Sequence, residues 1–297
     1  MKTKSQFLAV ALTAVCLEGL LPAGRCQIVG YQTVPIVAGY NFIANPFDAT
    51  DNTLANVISP SAPPLGTTVY WWDVTNQQYA APSVYSPTGW TANLVVPPGI
   101  GFVIGSTSSW ALTFSGTLVT GTRTHYYAGA NKFSLLASCF AVSDALTGPT
   151  MTFPGLDGEN VFLYDNANQT FSDAFTYYVG YGWFDPDGNV AATGPVINLG
   201  HCFFAQNLGP NTNWVQTYGG PGLPLTSQSS PQASIQSIHA TGGKVSLNIL
   251  NPQGTTYGVQ YSADGSLWTT VAAKQTGTTW MGPAPEGPRG FYRLTNP

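Results

Sequence analysis

Short runs of alternating apolar and polar residues fill most of this chain, cut about every ten residues by Gly, Pro, Asn or Asp. Thr67-Thr-Val-Tyr-Trp-Trp is β-branched and aromatic and stops at Asp73. Gly101-Phe-Val-Ile-Gly is a short apolar run between glycines, Trp110-Ala-Leu-Thr-Phe alternates, and Pro97-Pro98-Gly99 reads as a turn. Only residues 52–58, and their counterpart near Asp144, read as a single helical turn. The pattern predicts many short strands and almost no helix.

The same pattern occurs twice. Asn41-Phe-Ile-Ala-Asn-Pro-Phe47 aligns with Ser134-Leu-Leu-Ala-Ser-Cys-Phe140, and Gly66-Thr-Thr-Val-Tyr-Trp-Trp-Asp73 with Gly158-Glu-Asn-Val-Phe-Leu-Tyr-Asp165. Asn76, Gln77 and Tyr79 match Asn168, Gln169 and Phe171; Gly89-Trp90 matches Gly182-Trp183. Gly99-Ile-Gly-Phe102 matches Gly200-His-Cys-Phe203, and Trp110, Thr113, Phe114 and Gly116 match Trp214, Thr217, Tyr218 and Gly220. The offset drifts between 92 and 104, so loops vary while strand positions persist. Six blocks in one order predict a duplication, with copies at 27–122 and 123–218.

Residues 219–233 are rich in Gly, Pro and Ser and read as a linker. Beyond it, Lys244-Val-Ser-Leu-Asn-Ile-Leu and Thr256-Tyr-Gly-Val-Gln-Tyr-Ser alternate, and Ala263-Asp-Gly-Ser carries a hairpin signal. Residues 234–297 are expected to form a small Ig-like or fibronectin-like sandwich with Trp268 in its core. The predicted fold is all-β: two tandem homologous β-sandwich or small-barrel modules plus a small C-terminal Ig-like β-sandwich.

The N-terminus changes the picture of where the protein works. Lys2 and Lys4 precede a mostly apolar stretch at 7–21, broken by Pro22 and Gly24, with Cys26 before Gln27. This is the layout of a secretory signal peptide over 1–26; with Glu18 inside it, the stretch is short for a membrane span. No later segment is apolar enough to cross a bilayer. Removing Lys2, Lys4, Arg25 and Glu18 with the signal leaves twelve acidic and six basic residues, and 27–122 holds no Lys or Arg. That distribution argues against nucleic acid or an anionic membrane surface as partner. Charged residues make up only 7% of the chain, against 43% hydrophobic, so a packed core is expected rather than disorder.

The run from Val37 to Phe47, with Asn52-Thr-Leu54, Gly66-Thr-Thr-Val69, Pro98-Gly99 and Gly101-Phe102, resembles uncharacterised secreted repeat proteins of environmental bacteria. The segment from Tyr257 to Trp268 and the terminal Phe291-Tyr-Arg293 resemble fibronectin-type-III-like or Ig-like units at the ends of surface proteins. The resemblance implies a secreted or cell-surface β protein and brings no catalytic residues. Ser138-Cys139 replaces Asn45-Pro46 in the second copy, so any role of that Asn-Pro step is in doubt there.

Cys139 and Cys202 survive signal removal and have no cysteine counterparts in copy one, where Pro46 and Gly101 stand. In an exported protein they are expected to form a disulfide, worth roughly 4 kcal/mol for the loop it closes; two separate buried thiols are the other reading. Catalytic motifs are missing: there is no Gly-x-Ser-x-Gly, no paired Cys-x-x-Cys and no Lys-bearing phosphate loop, and His125, His201 and His239 fall in different units. Glu159 and Asp165 flank a strand, but Glu159 has no counterpart carboxylate in copy one. Asp185, Asp187 and Asn189 place three oxygen donors at alternate positions and would be the calcium site if one exists, although a solvated turn explains them as well. Trp71 and Trp72 point to opposite faces of one strand, so one of them faces outward, as a sugar- or protein-binding platform or under another module.

The expected function is a non-enzymatic structural or adhesive protein of the cell surface or extracellular space, contacting surface or matrix proteins. The alternative is polysaccharide binding through Trp71 or Trp72; a secreted hydrolase is the third reading.

Overall fold

The computed structural model describes residues 27–191, 193–220, 233–251, 254–285 and 287–295. The predicted signal peptide lies outside the described residues, as does all of the predicted linker except Gly219, Gly220 and Ala233. The fold is all-β, built from several antiparallel sheets. Among the described residues the α-helix is the single turn Leu54–Val57, whose Leu54 and Val57 dip into the core. Around Asp144 the chain forms the two-residue strand Asp144–Ala145 instead of the expected turn. There the Asp144 carboxylate accepts the N–H and hydroxyl of Thr150 and the N–H of Ala145, drawing the backbone away from a helix.

The segments that match in sequence match in strand order. In the first, Gly39–Ala44 pairs with Gly101–Ser106, which pairs with Thr68–Tyr70, then Ser83–Ser86, then Gly89–Trp90. In the second, Lys132–Leu136, Phe203–Asn207, Asn160–Asp165, Phe175–Tyr178 and Gly182–Phe184 follow in the same order, with Val190–Ala191 added at the edge. Each segment also has a long outer pair, Val29–Ile36 with Trp110–Thr117 and Gly121–Tyr127 with Thr212–Tyr218. Alternating burial follows the pleat: Leu112 and Phe114 are buried in one outer strand, Trp214 and Gln216 in the other.

Each segment has its own core, one around Phe102, Phe114 and Ile104, the other around Trp183, Trp214 and Phe203. A third cluster joins them: Phe42, Ala44 and Val103 of the first pack with Leu135, Ala137, Cys202 and Phe204 of the second. The contacts across this seam are reciprocal. Ile43 bridges His201 while their counterparts Leu136 and Ile100 bridge each other. Equivalent residues therefore meet near a local two-fold axis.

The terminal residues do not close on themselves. Strand Arg289–Thr295 pairs on one side with Tyr257–Ser262 and on the other with Val29–Ile36, giving one five-stranded sheet that runs from the terminal unit into the first repeat. This sheet packs on the three strands Ser234–Thr241, Lys244–Leu250 and Thr279–Pro283 around Val245, Leu247, Tyr257 and Tyr292, and Val29 and Tyr31 belong to that core. Gly30 makes the junction possible, since a Cβ there would lie 2.7 Å from the Phe47 ring and 3.0 Å from Phe291. Trp268, expected at the centre of the terminal core, instead packs against the first repeat's core beneath Arg293, whose guanidinium carbon is 4.1 Å from the ring centre.

Candidate functional site

The two tryptophans divide as the pleat requires, and neither is an open platform. Trp71 packs on the first repeat's core. Trp72 faces the seam, with its ring 4.9 Å from Phe204 and 5.1 Å from Tyr79, and its Nε1–H donates to the Phe133 carbonyl at 2.9 Å. The outward tryptophan is thus a repeat–repeat contact, the covered alternative that the sequence left open. Sequence could not reveal this, because the covering residues lie in the other copy.

Cys139 and Cys202 are both buried free thiols, not a disulfide. The two thiols have different neighbours. Cys202 faces its own counterpart, Gly101, where an added Cβ would come within 2.6 Å of the Cys202 Cβ. Two equivalent residues share one space near the axis, and only one of them can carry a side chain. Cys139 lies 2.7 Å from His125 Nε2, a contact missed in sequence because the two are fourteen residues apart, His125 on strand Gly121–Tyr127 and Cys139 in the bend after Lys132–Leu136. Burial pushes the Cys139 thiol up to about 12 and holds His125 down at about 4 against a smaller opposing effect of Gln216. Thiol and imidazole are therefore both neutral at pH 7, whereas a nucleophilic cysteine needs its thiolate. His201, at the seam, is likewise held low by burial.

In the turn Asp185–Asn189, Asp185 Oδ1 accepts the N–H groups of Asp187 and Asn189, and the Asn189 amide donates to Oδ2 at 3.1 Å. These bonds hold the Asp185 carboxyl below its ordinary range. They make the carboxylate a turn cap, and Asp187 and Asn189 are exposed beside it. Among the described residues no group of three or more His, Cys, Asp or Glu converges as a metal site would.

Glu159, the carboxylate lacking a counterpart, is fully buried; its Oε2 accepts the Leu156 N–H at 2.7 Å, and burial lifts it to about 7. The Tyr127 hydroxyl lies beside it in the second repeat's core. A cleft of about 580 Å³ lies elsewhere, between the first repeat and the terminal unit, lined by Asp48, Asn56, Ser61, Thr113, Ser115 and His239 among others. Asp48 Oδ1 is taken there by the Thr50 N–H and the Asn52 amide.

The clearest departure between the repeats is on an outer sheet face. The hairpin of strands Ser83–Ser86 and Gly89–Trp90 has Pro87-Thr88 at its tip; its counterpart, Phe175–Tyr178 and Gly182–Phe184, has Val179-Gly180-Tyr181. Tyr178 (46% exposed), Val179 (63%) and Tyr181 (74%) stand in solvent there, and Val190 (62%) extends the patch on the edge strand. Tyr178 meets Phe184 edge-on at 5.5 Å. The register places Asn160, Thr176, Phe184 and Val190 side by side on this face. Next to the aromatics the side chains form a ladder: Gln206 donates to Asn131 Oδ1 at 2.7 Å, Asn160 donates to Gln206 Oε1 at 3.1 Å, and Thr176 donates to Asn160 Oδ1 at 2.8 Å. The first repeat has Gly105, Thr68 and Val84 where Gln206, Asn160 and Thr176 stand, and Ser86 in place of Tyr178. Subtracting one copy from the other in sequence would have exposed these positions.

Compared with family models, curated proteins and solved structures, the chain matches none. Among the described residues no helix is long and apolar enough to cross a membrane.

Proposed function

We propose that this is an exported, non-catalytic structural or adhesive protein of the cell surface or extracellular matrix, holding other surface or matrix macromolecules on the outer face of its second repeat. In this reading the chain is a duplicated β module with a terminal fibronectin-like unit locked onto the first copy. One observation carries it. The second hairpin tip places Tyr178, Val179 and Tyr181 in solvent where the first has Ser86, Pro87 and Thr88, and Val190 on the added edge strand extends the apolar surface. Exposed clustered aromatics cost solubility and contribute nothing to the core, and tyrosine is the residue type that contact surfaces favour.

The test is retention of the purified mature chain on insoluble bacterial envelope fragments. The wild type should sediment with them, and changing Tyr178, Tyr181 and Val190 to Ser together should release it without lowering Tm by more than a few degrees. A chain that stays in the supernatant and is strictly monomeric at high concentration overturns the reading.

A further inference from the structure

The ladder beside the aromatics identifies the chemistry of the partner. This inference rests on the contact reading above and goes further by naming what is held. Asn131, Gln206 and Asn160 each carry an amide with two N–H groups and a carbonyl oxygen. Within the ladder, Gln206 and Asn160 each use one N–H, leaving donors and acceptors alternating along a half-exposed face. A row of alternating neutral donors and acceptors complements hydroxyl groups, which both donate and accept. An apolar peptide would leave those amides unpaired and desolvated, at a cost of about 1–3 kcal/mol for each buried group.

The aromatic end provides the second half of the match. A tyrosine ring presents a flat apolar surface with a polar rim, suited to the C–H face of a sugar. Tyr178, held edge-on by Phe184, and Tyr181 at the adjoining tip stand at the end of the ladder. The row crosses from the turn at Asn131 over successive paired strands to Val190. At the usual strand spacing that is on the order of 20 Å, an extended track rather than a pocket. Charge narrows the choice. The ladder and its aromatics carry no ionised side chain, and the bordering turns hold the carboxylates Asp157, which accepts the Val179 N–H, and Asp185, which accepts those of Asp187 and Asn189. Those carboxylates repel an acidic polymer and leave a neutral one unaffected.

We propose that the outer face of the second repeat binds a neutral polysaccharide, hydrogen-bonding its hydroxyls along Asn131, Gln206, Asn160 and Thr176 and stacking its rings on Tyr178 and Tyr181.

Depletion binding of the full mature chain to insoluble cellulose, chitin, xylan and mannan, with alginate and pectate as acidic comparisons, tests this. At least one neutral polymer should retain the protein, with little change in 0.5 M NaCl. Tyr178→Ala with Tyr181→Ala, and separately Asn160→Ala with Gln206→Ala, should each weaken that binding at least tenfold. Ser86→Ala with Thr88→Ala in the first repeat should leave it unchanged. Tyr181→Ala alone touches only an exposed side chain and should still weaken binding severalfold, so loss of fold cannot mimic the result. The inference is overturned if no neutral polymer retains the chain, if only the acidic ones do, or if neither double variant matters. Envelope retention that depends on Tyr178 and Tyr181 in the absence of any glycan binding would leave the contact reading standing and remove this one.

Discussion

Gln77 and Gln169 occupy equivalent turns, and each fastens the other's repeat. The Gln77 amide accepts the Phe133 N–H at 2.7 Å and donates to the Phe133 carbonyl at 3.0 Å. Gln169 does the same to Tyr40, at 2.6 and 2.7 Å. Tyr40 and Phe133 are themselves counterparts, at the starts of matching strands. Both glutamines hold left-handed backbone, φ 55° and 56°, where glycine is the usual residue. Their turns are built alike: Asp73 and Asp165 each accept two backbone N–H groups and an Asn amide. A costly conformation present in both copies has its reason in the clamp the side chain makes.

Replacing Gln77 by Ala leaves the half-buried Phe133 backbone groups without these partners and should cost about 1–3 kcal/mol in urea unfolding, whereas Gln169→Ala, at an exposed clamp where water can take the place of the amide, should cost less. Gln77→Gly loses the same hydrogen bonds but relieves the left-handed strain, so it should be milder than Gln77→Ala by about 0.5–1 kcal/mol. Equal losses for Ala and Gly would show that backbone strain plays no part.

Cutting the chain after residue 233 should destabilise the first repeat. Strand Val29–Ile36 would lose its pairing with Arg289–Thr295, and Val29 and Tyr31, now 1% and 3% exposed, would face water. Limited proteolysis of 27–233 should cleave within the first repeat well before the second; protection equal to that of the full chain would mean the terminal unit is dispensable.

Stability should depend on pH through two groups pulling in opposite directions. Glu159 titrates near 7 when folded and near 4.5 when unfolded. Its contribution is complete below about pH 4.5 and is lost as pH rises to 7. His125 titrates near 4 folded and 6.5 unfolded, so its contribution is complete above 6.5 and is lost on acidification toward 4; His201 adds in the same sense. Between pH 4.5 and 6.5 the slopes oppose. Tm against pH should therefore be shallow in the wild type. Glu159→Gln, which removes up to about 3 kcal/mol of pH-dependent stability, should fall clearly on acidification, and His125→Asn should flatten or reverse that trend.

Alkylation checks the thiols. Cys139 and Cys202 are buried and their ionisation is suppressed by burial, so native protein should resist iodoacetamide for hours and take two labels once unfolded. Unreduced protein carrying no free thiol would restore the disulfide.

Much of the strand content was legible in the chain because alternation with period two is a local property. The matching order of strand segments was legible because a repeat can be read against itself. That Trp71 and Trp72 face opposite sides of one strand followed from the pleat alone; which of them meets the core did not. Nor did what covers the other, since Phe133 and Phe204 are distant in sequence and are brought to Trp72 only by the seam.

The cysteines mark the boundary between the two kinds of information. Sequence determined that Cys139 and Cys202 lack counterparts, and in a chain read as exported this pointed to a bond between them. Tertiary structure sets the two thiols against different neighbours, Cys139 beside His125 and Cys202 against Gly101, where a two-fold seam lets only one of two equivalent residues carry a side chain. The terminal unit's edge was likewise invisible: any strand leaves backbone groups to be paired, and only the folded chain chooses Val29–Ile36 as the partner. Local chemistry dictates that strands form and which faces they bury; the identity of the surface laid against each face is settled by contacts far apart in sequence, which no short window contains.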